Sequence, residues 1–310
     1  MTADSLDLYL RLLGRTLPLY GLVVLGFAAG RLLAIERRSI ALLLIYVITP
    51  VVAFRGVLRT PISAETLSLP LVFLTLGTLL CLLTLKLTSR FWHDGREHIA
   101  AFCAGTGNTG YFGIPVAVML FGDEVLGQAI LCSLGLTLFE NSFGGYIAAR
   151  GQLDRRQAVR TILRIPSLYA MALAFLCQRW GIKLAPEWET VTAQFTGAYS
   201  VLGMLLLGSG LAALRRTAFD PGFVAYTLTV KAVAWPVAML CWLFLSGTVA
   251  LRYDPVTARV MLFMAIVPIA VSTLVWAEIF GLHPDKMALT VLLSTLIGAV
   301  LVPLAALVRF

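Results

Sequence analysis

Long runs of apolar residues alternate with short charged or turn-forming segments along the chain. A helix needs about 17–25 mainly apolar residues to cross the hydrocarbon core of a bilayer, and ten runs reach that length. They cover residues 17–34, 40–58, 69–89, 98–120, 124–149, 164–180, 197–214, 223–247, 258–280 and 286–308. The pattern therefore predicts an all-α membrane protein with ten transmembrane helices embedded in a lipid bilayer.

The composition supports this fold class. Of the 310 residues, 59% are apolar and 13% are charged, whereas soluble domains are nearer half and a quarter. The net charge of +8 comes mainly from arginines in short loops between the runs, which is typical of membrane proteins. A nucleic-acid-binding surface is therefore not expected, and the five scattered cysteines indicate neither a disulfide framework nor a metal site.

Lys and Arg are unevenly divided between the two sides of the predicted bilayer. Fourteen lie on the side of the 150–163 loop and nine on the other, including Arg55 and Arg59, while Lys231 lies inside a span. The positive-inside rule therefore places this loop in the cytoplasm and both termini on the extracytoplasmic side of the cell (inner) membrane.

The same loop divides the ten spans into two groups of five. A first repeat is predicted over 1–149 and a second over 164–310, joined by the cytoplasmic loop 150–163. Each begins with a segment in which an aromatic residue follows a proline, near Pro18 and Pro166. Because five is odd, the two halves must cross the membrane with opposite polarity, and inverted repeats of this kind are typical of secondary transporters.

Two of the predicted spans are interrupted in their middle. Four glycines and a proline break the fourth span between Gly105 and Pro115. Pro268 breaks the ninth, ahead of the hydroxyl groups of Ser272 and Thr273. Glycine weakens a helix, proline removes a backbone donor, and open backbone at membrane depth is tolerated only where it is buried or lines a cavity. We therefore expect helices four and nine to be broken and to form a binding site at the interface of the two repeats.

The expected ligand of this site is an anion. A half-helix that begins at each break presents free N–H groups and a partial charge of roughly +0.5. Asn108 and Thr109 add side-chain hydrogen bonds, and glycine lets a ligand approach the backbone closely. The candidate substrate-binding residues are Gly107, Asn108, Thr109, Gly110, Pro115, Pro268, Ser272 and Thr273.

Polar residues within the spans form a second candidate group, with a supporting or coupling role. Glu140 and Asn141 lie in the fifth span and Lys231 in the eighth, and ionisable groups at this depth are often functional. In one interpretation Lys231 attracts the anion and Glu140 holds a proton or cation. In the other, they pair with each other or with backbone carbonyls as structural contacts. Gly26 and Gly30 in the first span favour close packing against a neighbouring helix.

Other classes of protein fit the sequence less well. Residues 105–110 match the glycine spacing of a dinucleotide fingerprint, but no βαβ unit surrounds them. The sequence lacks a P-loop motif, so transport has to be driven by a gradient or a partner. The spans carry no metal-ligand cluster, which predicts a protein that is not an enzyme and needs no cofactor. The short loops also leave little surface on which a signalling receptor could dock a partner.

Several segments resemble the auxin efflux carrier (AEC) family of permeases, which includes bacterial malonate-type transporters. The matching segments are Asn108-Thr109 with Gly113-Ile114-Pro115 in the fourth span, Lys231 ahead of Pro236 in the eighth, and Pro268 with the stretch 277–285 in the ninth. The resemblance covers essentially all 310 residues. The chain departs from plant members in having Thr273 in place of a second proline and only a short central loop.

The resemblance implies a fold with a scaffold domain and a transport domain. It also implies that the substrate binds where helices four and nine cross, and that an elevator-type movement exposes it to either side of the membrane. The implied substrates are small organic anions such as malonate, malate or an aromatic carboxylate.

The architecture is similar to that of the bile acid:sodium symporters as well. A sodium-coupled symporter of another organic solute is therefore the alternative function, with a cation site that involves Asn108, Glu140 or Ser272. The predicted partners are a small organic anion, H⁺ or Na⁺ as coupling ion, and a second copy of the chain in a homodimer.

Overall fold

The protein folds almost entirely into helices. The structure, a computed structural model, describes residues 3–33, 35–59, 68–212, 219–247 and 253–307. The helices in these ranges are α1 (Ala3–Leu32), α2 (Arg37–Arg59), α3 (Ser68–Thr88), α4 (Arg96–Ala104), α5 (Ile114–Phe121), α6 (Leu126–Phe139), α7 (Gly145–Arg150), α8 (Arg155–Ile162), α9 (Pro166–Arg179), α10 (Pro186–Ala212), α11 (Pro221–Ser246), α12 (Pro255–Ile266), α13 (Ser272–Phe280) and α14 (Pro284–Leu307). The prediction of an all-α protein is confirmed.

Several of these helices are long and apolar enough to cross a membrane. By length and composition, four of the described helices qualify, namely α2, α3, α10 and α11. The bent pair of α8 and α9, which meet at 44°, raises the number to five if the pair is one span. Shorter apolar helices occur at Tyr20–Leu32 within α1 and at α12. The chain is a multi-pass membrane protein. Fewer of the described helices are long and apolar enough to cross a membrane than the ten that the sequence predicts.

The fourth apolar run is divided into two short helices. After α4, residues 105–108 leave the helix, and the chain continues through the π-helical turn Thr109–Gly113 into α5. Gly105 is required here because an added Cβ would clash with the Phe139 ring and lie 2.8 Å from the Gly77 carbonyl oxygen. The break therefore coincides with a glycine that lets two backbones approach each other.

The ninth apolar run is divided in the same way. α12 ends at Ile266, and α13 begins at Ser272. Val267 has an extended ψ of 153°, as expected for a residue that precedes proline, and Pro268 has no N–H to continue the helix. The two interruptions explain why neither run forms one of the long apolar helices.

Small residues bring α1 and α10 together. An added Cβ on Gly26 would lie 2.8 Å from the Cα of Leu205, and one on Gly208 would clash with the Val23 carbonyl oxygen. Gly30 approaches α10 equally closely. The predicted packing role of Gly26 and Gly30 is confirmed, since helix axes approach this closely only where side chains are small.

The helices form two groups, which charged residues connect at one end. α10 packs against α1 and α2, and α2 packs against α9, while α3 packs against α4 and α6, and α11 against α12. The Nη1 of Arg37 in α2 lies 3.1 Å from a carboxylate oxygen of Glu278 in α13 and 3.1 Å from one of Asp285 in α14. This end of the molecule is the one that the charge count assigns to the cytoplasm.

Candidate functional site

The breaks in the fourth and ninth runs are in direct contact. The backbone N–H of Asn108 donates to the carbonyl oxygen of Pro268 at 2.8 Å. The Asn108 carbonyl accepts from the Gly113 N–H at 2.9 Å, which holds the turn that follows. Beside Pro268, the Ile269 N–H donates to the Ser294 hydroxyl at 3.1 Å. Tertiary contacts therefore satisfy backbone groups that the breaks release from the helices.

Three π-helical turns carry residues of the predicted site. They are Thr109–Gly113 before α5, Glu140–Gly144 between α6 and α7, and Val230–Ala234 within α11. A π turn shifts the helical register by one residue, and such turns are frequent at functional sites. Their grouping near the breaks indicates that local helix geometry is altered where the polar residues lie.

A cavity of about 840 Å³ lies beside the crossing. The predicted residues that line it are Gly107, Asn108, Thr109, Gly110, Glu140 and Ser272. Thr109 and Gly110 begin one half-helix, and Val271 and Ser272 begin the other. Two helix N-termini therefore face the same space, where their N–H groups and dipoles favour an anion.

α6 supplies a polar wall of this cavity. Ser133, Thr137 and Glu140 are four and three residues apart, so they share one face of the helix, and all three line the cavity. The Thr109 hydroxyl donates to the Ser133 hydroxyl at 3.0 Å, which joins this wall to the crossing. Glu140 is half-buried and lies near Ser272. The cavity therefore holds hydroxyl groups and a carboxyl group close to the half-helix ends.

Lys231 lies beside Gly107 at the crossing and is not among the residues that line the cavity. Its Nζ donates to the Thr106 carbonyl at 2.9 Å and lies 4.7 Å from the centre of the Trp235 ring. Trp235 Nε1 donates to the Ala104 carbonyl at 2.7 Å. A Cβ added to Gly107 would lie 2.7 Å from the Lys231 Nζ, so the glycine makes room for the ammonium group. Both side chains bond carbonyls at the break, as the structural interpretation of Lys231 expects.

Three other predicted residues also lie outside the cavity lining. Thr273 is buried, and its hydroxyl donates at 2.7 Å to the carbonyl three residues earlier. Pro268 contributes its carbonyl to the crossing. Asn141 is buried and donates at 2.9 Å to the carbonyl one turn earlier in its helix. Pro115 is the second residue of α5, and its side chain lies outside the part of the chain that the structure describes.

Two arginines line the cavity although the sequence places them only among the extracytoplasmic cations. Arg55 Nη2 and Arg59 Nε lie 3.1 Å and 2.9 Å from the same oxygen, Oε1 of Glu189 in α10. Thr49 and Gly56 of α2 line the same cavity. A spacing of seven places these two residues on one face of α2.

These features define a class of protein, a multi-pass helical membrane protein in which two broken helices meet beside a largely apolar cavity that carries a few polar side chains. Binding sites formed by discontinuous helices are typical of secondary transporters. No family model matches the sequence.

Similar proteins in other organisms carry transporter names. The chain is 25% identical over 307 residues, 92% of each sequence, to a "Putative malonate transporter" of Rhizobium meliloti (strain 1021). It is 25% identical over 289 residues to an "Uncharacterized transporter" of Methanothermobacter thermautotrophicus, covering 91% of this chain and 93% of that one. It is 26% identical over 146 residues to the "Probable auxin efflux carrier component 9" of Oryza sativa subsp. japonica, covering 46% and 33%.

These similarities confirm the resemblance to the auxin efflux carrier family. Two of the three relatives align over nearly the whole chain, and all three are named as transporters or efflux carriers, not as enzymes. The prediction of a non-enzymatic membrane transporter agrees with those names.

Proposed function

We propose that the protein is a secondary transporter of the auxin efflux carrier type, which moves a small organic anion across the cell membrane. One observation carries the proposal, the hydrogen bond from the Asn108 N–H to the Pro268 carbonyl. This bond brings the starts of two half-helices to one cavity. Non-helical backbone at membrane depth is tolerated where it is buried in protein or lines such a cavity. The name of the Rhizobium meliloti relative makes malonate the first substrate to test, ahead of malate and an aromatic carboxylate.

In the proposed site, the anion lies between the two half-helix starts. The Asn108 side chain and the backbone at Gly110 hold the carboxylate from one side, where the Thr109 hydroxyl is bonded to Ser133, and Ser272 contacts it from the other. Hydrogen bonds from several neutral donors and two helix dipoles stabilise a negative charge without a fixed cation in contact. Lys231 has an indirect role, because its ammonium group donates a hydrogen bond to the Thr106 carbonyl at the break.

The proposed topology has ten spans in two inverted repeats, 1–149 and 164–310, with both termini extracytoplasmic. α1, α2, α9 and α10 form the scaffold domain, and the other helices form the transport domain, which contains both breaks. The packing of these four helices on one another supports this division. Movement of the transport domain past the scaffold exposes the cavity to either side in turn.

Glu140 is the proposed coupling residue. Its carboxyl group is half-buried in the cavity wall near Ser272, where protonation or a bound cation would neutralise it. Proton coupling predicts uptake that depends on the pH gradient, whereas the alternative, sodium-coupled symport of another organic solute, predicts uptake that needs Na⁺ at fixed pH.

Uptake of radiolabelled malonate, malate and an aromatic carboxylate into proteoliposomes tests the proposal. Asn108→Ala should lower uptake of the transported anion at least about tenfold, since a hydrogen bond to a charged group contributes about 1.5–3 kcal/mol. Thr227→Ala, at a buried polar residue of α11 that bonds only within its own helix, is the matched control and should transport like the wild type. Carboxylate uptake that is equal in Asn108→Ala and the wild type would contradict the site, and no carboxylate uptake at all would contradict the function.

A further inference from the structure

Arg55 is a charged residue of the cavity that the proposed anion site leaves unexplained. Its side chain lines the cavity and is only 17% exposed. Its Nη2 contacts Glu189, but its Nε is buried and has no hydrogen-bond partner among the residues that the structure describes. A buried guanidinium normally has its donors paired, because desolvation of an unpaired charge is costly.

The charges around Arg55 do not balance. Arg59, whose side chain is 55% exposed, contacts the same oxygen of Glu189 as Arg55 does. Two guanidinium groups thus share one carboxylate oxygen, and no other acidic side chain in the described ranges lies within ion-pair distance of either. Among the residues that the structure describes, this part of the cavity therefore carries one more positive charge than negative.

Arg55 lines the same cavity as the crossing. α2 packs against α6, and Ala53 of α2 belongs to the same buried cluster as Leu134 of α6. Leu134 follows Ser133, which accepts the hydrogen bond from Thr109. The Arg55 side chain and the half-helix that begins at Thr109 therefore border the same cavity.

We propose that Arg55 binds a second negatively charged group of the substrate, so that the site selects a small dicarboxylate over a monocarboxylate of the same shape. This inference rests on the proposed function, because it assumes that the first carboxylate lies at Asn108. A guanidinium presents a planar pair of donors that matches a carboxylate, and it keeps its charge at any physiological pH. When the substrate enters, Arg55 turns from Glu189 toward it, and Arg59 remains as the partner of Glu189.

Malonate and malonamate form the pair of probes that tests this proposal, since an amide replaces one carboxylate at nearly constant size. Wild-type proteoliposomes should take up malonate preferentially. Arg55→Gln should lower malonate uptake about ten- to hundredfold, as expected for the loss of a charged hydrogen-bonding partner, and leave malonamate uptake within about twofold of the wild type. Arg160→Gln, at an exposed arginine of α8 outside the cavity lining, is the matched control and should preserve the preference for malonate.

Two further variants separate substrate binding from a structural role of the ion pair. Arg55→Lys keeps the charge but lacks the planar pair of donors, so its malonate uptake should fall between those of the wild type and Arg55→Gln. Glu189→Gln removes the competing carboxylate, so the KM for malonate should fall. If Arg55 only holds α2 against α10, Glu189→Gln should instead lower transport of both probes.

The outcomes distinguish this inference from the proposed function. Equal losses of malonate and malonamate uptake in Arg55→Gln, or a wild type that does not discriminate between them, would overturn the role of Arg55 while the anion site at Asn108 stands. Uptake of neither probe by the wild type would overturn both.

Discussion

At the scale of single residues, side chains of α11 donate hydrogen bonds to carbonyls at the break in the fourth run. Helical carbonyls near Ala104 and Thr106 lose their donors where the chain leaves the helix, and Trp235 and Lys231 supply replacements from α11. Gly107 permits this arrangement, because any side chain there would occupy the position of the Lys231 ammonium group. The lysine therefore supports the shape of the break by its bond to the Thr106 carbonyl.

Lys231→Met should lower both the melting temperature and the maximal transport rate while leaving the KM nearly unchanged. Methionine has a similar volume but cannot donate to the Thr106 carbonyl, and a buried acceptor without a partner costs about 1–3 kcal/mol. The substrate contacts remain, since Lys231 does not line the cavity. Thermal unfolding in detergent and initial uptake rates over a range of substrate concentrations measure these effects.

Val233→Met is the matched control for this variant, because Val233 lies in the same π turn with 54% of its surface exposed. It should change neither stability nor transport. A KM that rises more than tenfold in Lys231→Met at an unchanged melting temperature would instead indicate that Lys231 contacts the substrate.

At the scale of helices, the contact between α1 and α10 depends on glycine. Gly26 and Gly208 bring the two backbones within van der Waals distance, and both helices belong to the proposed scaffold. In a bilayer, lipid chains compete for apolar side chains, so close backbone contact and packing are what favour one helix partner over lipid.

Gly26→Ala should destabilise the protein by about 1–3 kcal/mol, because the added methyl group meets backbone atoms of Leu205 that cannot move without displacing α10. Gly21→Ala on the same helix is the control, since no heavy atom lies within 4 Å of the position its Cβ would take. That control should be neutral or slightly stabilising, as alanine favours helix over glycine. Melting temperatures in detergent compare the two, and equal values would contradict the packing role of Gly26.

At the scale of the whole molecule, ion pairs at the predicted cytoplasmic end join segments distant in sequence. Asp220 caps the start of α11 by accepting from the Phe223 N–H at 3.0 Å. Its other carboxylate oxygen lies 2.7 Å from Arg96 Nη1 and 2.8 Å from Lys286 Nζ. This one side chain therefore ties α11 to the start of α4 and to α14.

Burial alone would raise the pKa of Asp220, but Lys286, the Phe223 N–H and Arg96 together lower the pKa to about 2. An unfolded Asp titrates near pH 4, at roughly 3.9. The folded protein therefore binds this proton less readily than the unfolded chain. The stabilisation from Asp220 is complete above about pH 4 and is lost as the pH falls toward about 2.

Asp220→Asn should lower the melting temperature at neutral pH, and the difference from the wild type should shrink as the pH falls from about 4 to 2. Asparagine is also a good helix cap, so the variant removes the charge and keeps the hydrogen bond to Phe223. Thermal unfolding of both proteins between pH 7 and pH 2.5 measures the difference. A difference that stays constant over this range would show that the charge of Asp220 does not stabilise the fold.

The sequence by itself determined the features that depend on local physics. The length and apolarity of the runs predicted membrane helices, and the glycines and Pro268 predicted both interruptions at the residues where they occur. Small residues at Gly26 and Gly30 predicted close helix packing. These features need only a residue and its neighbours in the chain, because helix length, backbone freedom and side-chain size are local properties. The inverted repeat and the orientation in the membrane stay predictions.

Only the tertiary structure decided which of the polar residues line the same cavity. Lys231 could have lined the cavity, but it bonds the Thr106 carbonyl, 125 residues away in the chain, and does not line the cavity. Arg55 looked like one of several cations near a span end, yet the packing of α2 against α6, α9 and α10 places it in the cavity wall. No periodicity or spacing contains this information, because the direction of a long side chain depends on the helices that surround it.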